Sequence, residues 1–331
     1  MKEKNFLKTM VIKSFKWVVI YLSLTSQVYA QTVYKHIVAI KDSVNLLIND
    51  GTLQELAFYQ LNPSDVSPIK GLLVLLPGLG TQPQQVFQET KLAQQAAHIG
   101  LITIVPSINN RLYLDSASKQ FISQAISQVV NQNPAVRRNF FIGGFSAGGH
   151  LALSYAETIV ANTAPNDLIL KAAFGVDPPV DMREFWQLGQ RRIVQNCSKL
   201  LVKEGQHIIA SLTDLFGGSP EKFPKKYHDG SAFSSIDSLG GNAQWLKSFP
   251  IRLYAEPDLV YWRKHYCKTL SLDDLTAPTS AQMIDRLQRL GNSRAQYIET
   301  RGKGFVGNRA FPHSWTIVDV PDCIAWLRNL M

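Results

Sequence analysis

Gly144-Phe145-Ser146-Ala147-Gly148 sets a serine between two glycines in the spacing G-x-S-x-G. A serine hydroxyl attacks a carbonyl only when a base removes its proton and a carboxylate holds that base in place. With 21 Gly in 331 residues, the five-residue match alone is weak, since roughly one chain in ten of this composition carries it by chance. Its context gives it meaning. The apolar run Phe140-Phe141-Ile142 precedes it and the alanine-rich segment His150–Val160 follows, reading as a strand and a helix. A tight strand-to-helix turn lifts the hydroxyl clear of a sheet, and flanking glycines let two backbones pass closely.

Seven histidines compete for the role of base. His36, His98, His207, His228 and His265 fall in edge, helix or insertion segments, and His150, one helical turn after Ser146, reads as a packing residue. His313 stands apart in the loop Phe311-Pro312-His313-Ser314-Trp315, after the last strand and before the terminal helix. A loop at the carboxyl end of a sheet is where a base reaches such a serine. For the acid, Asp258 follows the apolar strand that begins at Ile251, with Glu256 and Asp177 as rivals. The chain order Ser146, Asp258, His313 is then the expected one. The oxyanion of an acyl-transfer intermediate needs two backbone N–H donors. Ala147, after the nucleophile, is one expectation, and Leu79 in the loop Pro77-Gly78-Leu79-Gly80 is the other. No lysine follows that loop at P-loop spacing and no GxGxxG occurs, which argues against a phosphate cradle.

The elements that must hold these residues are short apolar runs alternating with helical patterns, the signature of a mostly parallel sheet flanked by helices. Strands are expected at Val33–Ile40, Glu55–Leu61, Gly71–Leu76, Leu101–Val105, Phe140–Ile142, Leu168–Val176, Ile251–Ala255 and Ala295–Glu299, with a turn at Asn49-Asp50-Gly51. Helices are expected at Pro83–His98, Ser116–Asn131, His150–Val160, near Ser280–Leu290 and from about Pro321 to Leu330. Residues 182–247 break the rhythm with two expected helices and a Gly-, Pro- and Lys-rich stretch, read as an insertion over one end of the sheet. Its Phe185, Trp186, Phe216, Phe223 and Tyr227 either overhang the site as a lid or form the insertion's own core.

The apolar fraction of 45% excludes a disordered chain. Of the formal net charge of +9, four charges lie in residues 1–30, five lysines against one Glu, and the remaining basic residues are scattered. A nucleic-acid track is therefore not expected. Cys197, Cys267 and Cys323 show no zinc-ligand spacing; they allow one disulfide at most, with a thiol left over. The lysine-rich start, the apolar stretch Trp17–Leu24 and Val28-Tyr29-Ala30 before Gln31 read as a signal peptide cleaved after residue 30. The apolar stretch is far short of the roughly 20 residues a membrane span needs. The expectation is an exported periplasmic or extracellular protein with one domain over 31–331.

These residues together resemble the α/β-hydrolase-fold serine hydrolases over about Val33 to Leu330. Gly217-Gly218-Ser219-Pro220-Glu221 through Pro224 to Tyr227 is similar to the GGxPE…P…Y stretch of secreted esterases and prolyl-oligopeptidase-like enzymes. The chain departs from them at Ser231-Ala232-Phe233, where a Ser-Pro is usual, and at Pro77, where an HGxG loop has its histidine. The resemblance implies an α/β-hydrolase fold with a helical cap between the sixth and seventh strands, and acyl transfer without a metal or organic cofactor. The expected substrate is a carboxylic ester, small or polymer-attached. A peptidase, a silent binding protein on the same fold and an acyltransferase are the alternatives; oligomeric state is left open.

Overall fold

A computed structural model describes residues 32–39, 55–64, 68–108, 111–161 and 168–331. The signal-peptide expectation for residues 1–30 and the turn Asn49-Asp50-Gly51 lie outside the described residues. The strands of the main sheet are β1 (Val33–Ile37), β2 (Ala57–Leu61), β3 (Gly71–Leu76), β4 (Leu101–Pro106), β5 (Phe140–Phe145), β6 (Leu170–Val176), β7 (Ile251–Ala255) and β8 (Ala295–Glu299). Their spatial order is β1-β2-β4-β3-β5-β6-β7-β8. β1–β2 and β2–β4 pair antiparallel, and every other neighbouring pair is parallel.

Continuous apolar runs become the central strands because both sheet faces are covered. Every residue of β3 and β4 is buried. Along β3, Leu72, Val74 and Leu76 pack into one core with helices α3 (Ser116–Gln132), α4 (Ala147–Val160) and α9 (Ala277–Arg289). Leu73 and Leu75 point the other way, into a second core with α1 (Pro83–Glu89), α2 (Leu92–His98) and α10 (Val320–Asn329). The single helix expected over 83–98 is thus two. Thr90, in an extended conformation, ends the first helix, and its Oγ1 accepts the N–H of Leu92, the first residue of the second.

Residues 182–247 do fall between β6 and β7. They carry three α-helices, α5 (Met182–Gln195), α6 (Lys199–Phe216) and α7 (Pro224–Gly230), and a 3₁₀ turn at Gly241–Leu246, one helix more than the pattern predicted. α8 (Leu259–His265) follows β7, and a two-stranded hairpin, β9 (Phe305–Val306) with β10 (Arg309–Ala310), precedes the terminal helix. Cys197 and Cys267 form a disulfide, Cα–Cα 5.7 Å, joining the α5–α6 turn to the end of α8. Cys323 is a free buried thiol, its pKa pushed up to about 12 by burial. Among the described residues no helix is long and apolar enough to cross a membrane.

Candidate active site

Ser146 ends the run from β5 into α4 with φ 52° and ψ −122°, a backbone conformation that L residues rarely adopt. Two close approaches hold it there. A Cβ on Gly148 would lie 2.2 Å from Pro77 O, and one on Gly144 would lie 2.2 Å from Gly148 O. Glycine at both positions lets the first turn of α4 seat directly on the end of β3 and on β5. The Ser146 N–H donates to Val176 O at 2.8 Å, tying the turn to β6.

His313 Nε2 lies 3.1 Å from Ser146 Oγ, and His313 Nδ1 lies 2.5 Å from Asp177 Oδ2. A carboxylate only accepts, so Nδ1 carries the proton and Nε2 is free to accept from the serine hydroxyl. Phe145 packs on the imidazole with ring centroids 4.7 Å apart. The other oxygen of the carboxylate, Asp177 Oδ1, accepts from Thr276 Oγ1 at 2.7 Å. Asp177 also has positive φ, 47°, and donates its N–H to Tyr254 O at 2.7 Å.

The carboxylate at His313 is therefore Asp177, not Asp258. Asp258 is the N-cap of α8: its Oδ1 accepts the Tyr261 N–H at 2.9 Å, a local role that a short acidic side chain at a helix start readily takes. The rival Glu256 is buried with a different task. Its carboxylate accepts the N–H groups of Lys303 and Gly304 at 2.8 and 3.1 Å and pins the segment that leads to the β9–β10 hairpin and His313. Thr276 was not anticipated; nothing local marks a threonine that meets its partner 99 residues away.

No family profile matches the sequence, and no curated protein matches it. Solved structures do. A carboxyl esterase from the fungus Tuber melanosporum matches at TM-score 0.53 and 16% identity, over 93% of this chain and 86% of its own. An arylesterase matches at TM-score 0.52 and 14% identity, over 90% of this chain and 85% of its own. The chain has the α/β-hydrolase fold. An acylaminoacyl peptidase from Pyrococcus horikoshii matches at TM-score 0.48 and 12% identity over 82% of this chain, which spans 37% of that protein's length.

The remaining expected residues gather at the same point. Ala147 is the first residue of α4, where backbone N–H groups have no intrahelical acceptor. Leu79 stands on the loop that Gly148 brings against that helix start, and it lines a cleft together with Ser146 and His313. His150 is fully buried, as its packing role required. Its Nε2–H donates to Gly230 O at 3.0 Å, and burial lowers its pKa to about 4.

Two clefts meet at Ser146, Phe311 and His313. One, of about 540 Å³, runs between the Leu79 loop and the β9–β10 hairpin. The other, of about 140 Å³, runs under the insertion between α5, α6 and α8. Of the insertion's aromatics only Phe185 lines that second cleft. Trp186, Phe216 and Tyr227 are buried in a cluster with Met182 and Ala147, which makes them the insertion's own core, fused to the turn that carries the serine. Tyr227 donates its hydroxyl to Gly218 O at 2.9 Å, so the Gly217–Tyr227 stretch serves structure. Where Ser-Pro would be usual, Ser231 Oγ instead donates to Tyr227 O and accepts the Met182 N–H, fastening α7 to the start of α5.

Proposed function

We propose that this protein is an exported serine hydrolase of carboxylic esters. The observation that carries the reading is the chain Ser146 Oγ, His313 Nε2, His313 Nδ1, Asp177 Oδ2, at 3.1 and 2.5 Å, with the serine held at φ 52°. In the proposed reaction His313 takes the proton of Ser146 as its oxygen bonds to the ester carbonyl carbon. The carbonyl oxygen becomes an oxyanion and accepts from the N–H groups of Ala147 and Leu79. His313 passes its proton to the departing alkoxide, leaving an acyl-serine. Water, deprotonated by the same imidazole, then releases the acid and restores the serine. Asp177 holds the imidazole tautomer and offsets its positive charge in both halves.

Each proposed step uses only side chains and backbone N–H groups, and acyl transfer by a serine, a histidine and a carboxylate calls for no cofactor. Export is supported by the lysine-rich, apolar leader pattern and by the Cys197–Cys267 disulfide, a bond that persists in oxidising compartments.

The test is labelling of purified protein with a fluorophosphonate probe, beside a series of 4-nitrophenyl esters and an aminoacyl 4-nitroanilide. Labelling and ester turnover that both vanish in Ser146→Ala are the expected result. Folded protein that neither labels nor turns over any ester would overturn the reading, and turnover of the anilide in preference to esters would replace it with a peptidase.

A further inference from the structure

The narrow cleft beside Ser146 holds a cation that the proposed reaction does not use. Phe185, Leu188 and Arg192 stand at i, i+3 and i+7 on α5, one stripe of the helix, and all three line this cleft. Facing them on α6 are Leu200, Leu201 and Glu204, and on the third side Trp262 and Tyr266 at the end of α8. The disulfide joins the α5–α6 turn to the residue after Tyr266, so the walls are covalently fixed to one another.

Arg192 is 7% exposed. Its Nη1 lies 2.7 Å from Glu204 Oε1, but the pair is not aligned as a hydrogen bond, and its Nε has no acceptor. A guanidinium carries five N–H donors in a planar fork, and buried donors left without acceptors are costly. The other carboxylates on the cleft are committed elsewhere. Asp177 accepts from His313 and Thr276, and Glu256 accepts from Lys303, Gly304 and Thr300. The side chain of Glu204 is half-exposed at the rim. The cleft thus presents a buried, under-matched planar fork among apolar walls, next to the reacting serine.

We infer that Arg192 receives a carboxylate of the substrate, so that the preferred esters carry a short acyl group ending in a second, ionised carboxylate. This deepens the ester-hydrolase reading and rests on it. A fork of N–H donors matches a carboxylate in two parallel charge-assisted bonds, which a neutral acyl end cannot form. The cleft of about 140 Å³ suits a short acyl chain, and the cleft of about 540 Å³ on the other side of Ser146 leaves room for the alcohol. Glu204 competes for the same fork and is the group that the substrate carboxylate displaces.

The experiment compares mono-4-nitrophenyl succinate, glutarate and adipate with the neutral butyrate, valerate and hexanoate of equal carbon number. The readout is the anionic-to-neutral ratio of kcat/KM. Wild type is expected to favour the anionic ester at one or more lengths. Arg192→Gln should lower that ratio roughly 10- to 100-fold, the range for a hydrogen bond to a charged group, and Glu204→Gln should raise it. Preference for the neutral ester at every length, or a ratio that neither variant moves, overturns the inference. Should Arg192→Gln fail to fold, the wild-type and Glu204→Gln ratios decide alone. If no ester is turned over and Ser146 takes no fluorophosphonate label, the hydrolase reading has failed separately. Calorimetry with glutarate still decides the site then: binding that Glu204→Gln tightens supports it, and no binding overturns it.

Discussion

The backbone N–H of Ser146 donates to the carbonyl of Val176, 2.8 Å away, so the serine and the aspartate that follows Val176 leave neighbouring strands side by side. The parallel register pairs Phe145 with Val176, and the next residue on each strand is the proposed nucleophile, Ser146, or the proposed acid, Asp177. β7 lies one strand farther from β5, and Asp258 stands three residues past its end. The carboxylate that meets His313 thus comes from the strand adjacent to the one that leads into Ser146, with no intervening loop to order.

Asp177→Asn should lower kcat/KM on a 4-nitrophenyl ester by about three to four orders of magnitude, because an amide favours the wrong imidazole tautomer. Asp258→Ala should instead cost about 1 kcal/mol of stability through loss of the α8 cap, with turnover retained. Steady-state kinetics and urea unfolding of both variants check this. A large kinetic loss in Asp258→Ala with none in Asp177→Asn would return the acid to β7.

Gly148→Ala introduces a Cβ that would lie 2.2 Å from Pro77 O and 2.3 Å from Leu76 O. Both are backbone atoms, so the helix start and the Leu79 loop must separate. The two proposed oxyanion donors sit on either side of that gap. Loss of one such donor corresponds to a fall of about 100- to 1,000-fold in kcat, with KM changed far less. Kinetics on protein shown to be folded by near-ultraviolet circular dichroism would read it. An unchanged kcat would remove the Leu79 loop from the reaction.

His150 should make stability fall in acid. Its folded pKa of about 4 lies below the free value of 6.5, so the unfolded chain takes up the proton first as pH drops. The contribution of neutral His150 is complete above pH 6.5 and declines as pH falls toward 4. The lost stability approaches about 3 kcal/mol, because each pH step between the two values is worth about 1.4 kcal/mol. His150→Gln keeps a donor toward Gly230 and does not titrate, so its stability should fall less between pH 7 and pH 4. Urea unfolding at several pH values gives both curves; parallel curves would refute the assignment.

Replacing both Cys197 and Cys267 by Ala frees a loop of 70 residues and should cost about 2 to 4 kcal/mol. The same bond fixes the α5, α6 and α8 walls of the narrow cleft. The double variant is therefore expected to show a raised KM as well as a lower Tm. A Tm equal to that of wild type would show that packing alone holds those helices.

Much of this molecule was readable along the chain because its signals are local. A continuous apolar run followed by G-x-S-x-G fixes a strand, a tight turn and a helix start within ten residues. His313 was legible from its place in a loop ahead of the terminal helix. Other features escaped for an equally physical reason. The break at Thr90 is one side-chain hydrogen bond hidden under unbroken apolar periodicity. Asp258 looked like an acid after a strand because capping and catalysis both favour a short carboxylate at that place. Thr276 and Arg192 carry no local mark at all.

The sequence by itself determined the layered architecture, the tight turn at the serine, the loop histidine and the helical segment inserted between β6 and β7. Each follows from periodicity, glycine and turn chemistry among near neighbours. Only the tertiary structure decided which carboxylate meets His313, which residue holds that carboxylate, and which cation lines the cleft. Those choices depend on strand order and on contacts between residues as far apart as 136 positions. Asp177 and Asp258 have the same side chain, each beyond the carboxyl end of a buried strand. The neighbour of β5 in the sheet is what separates them.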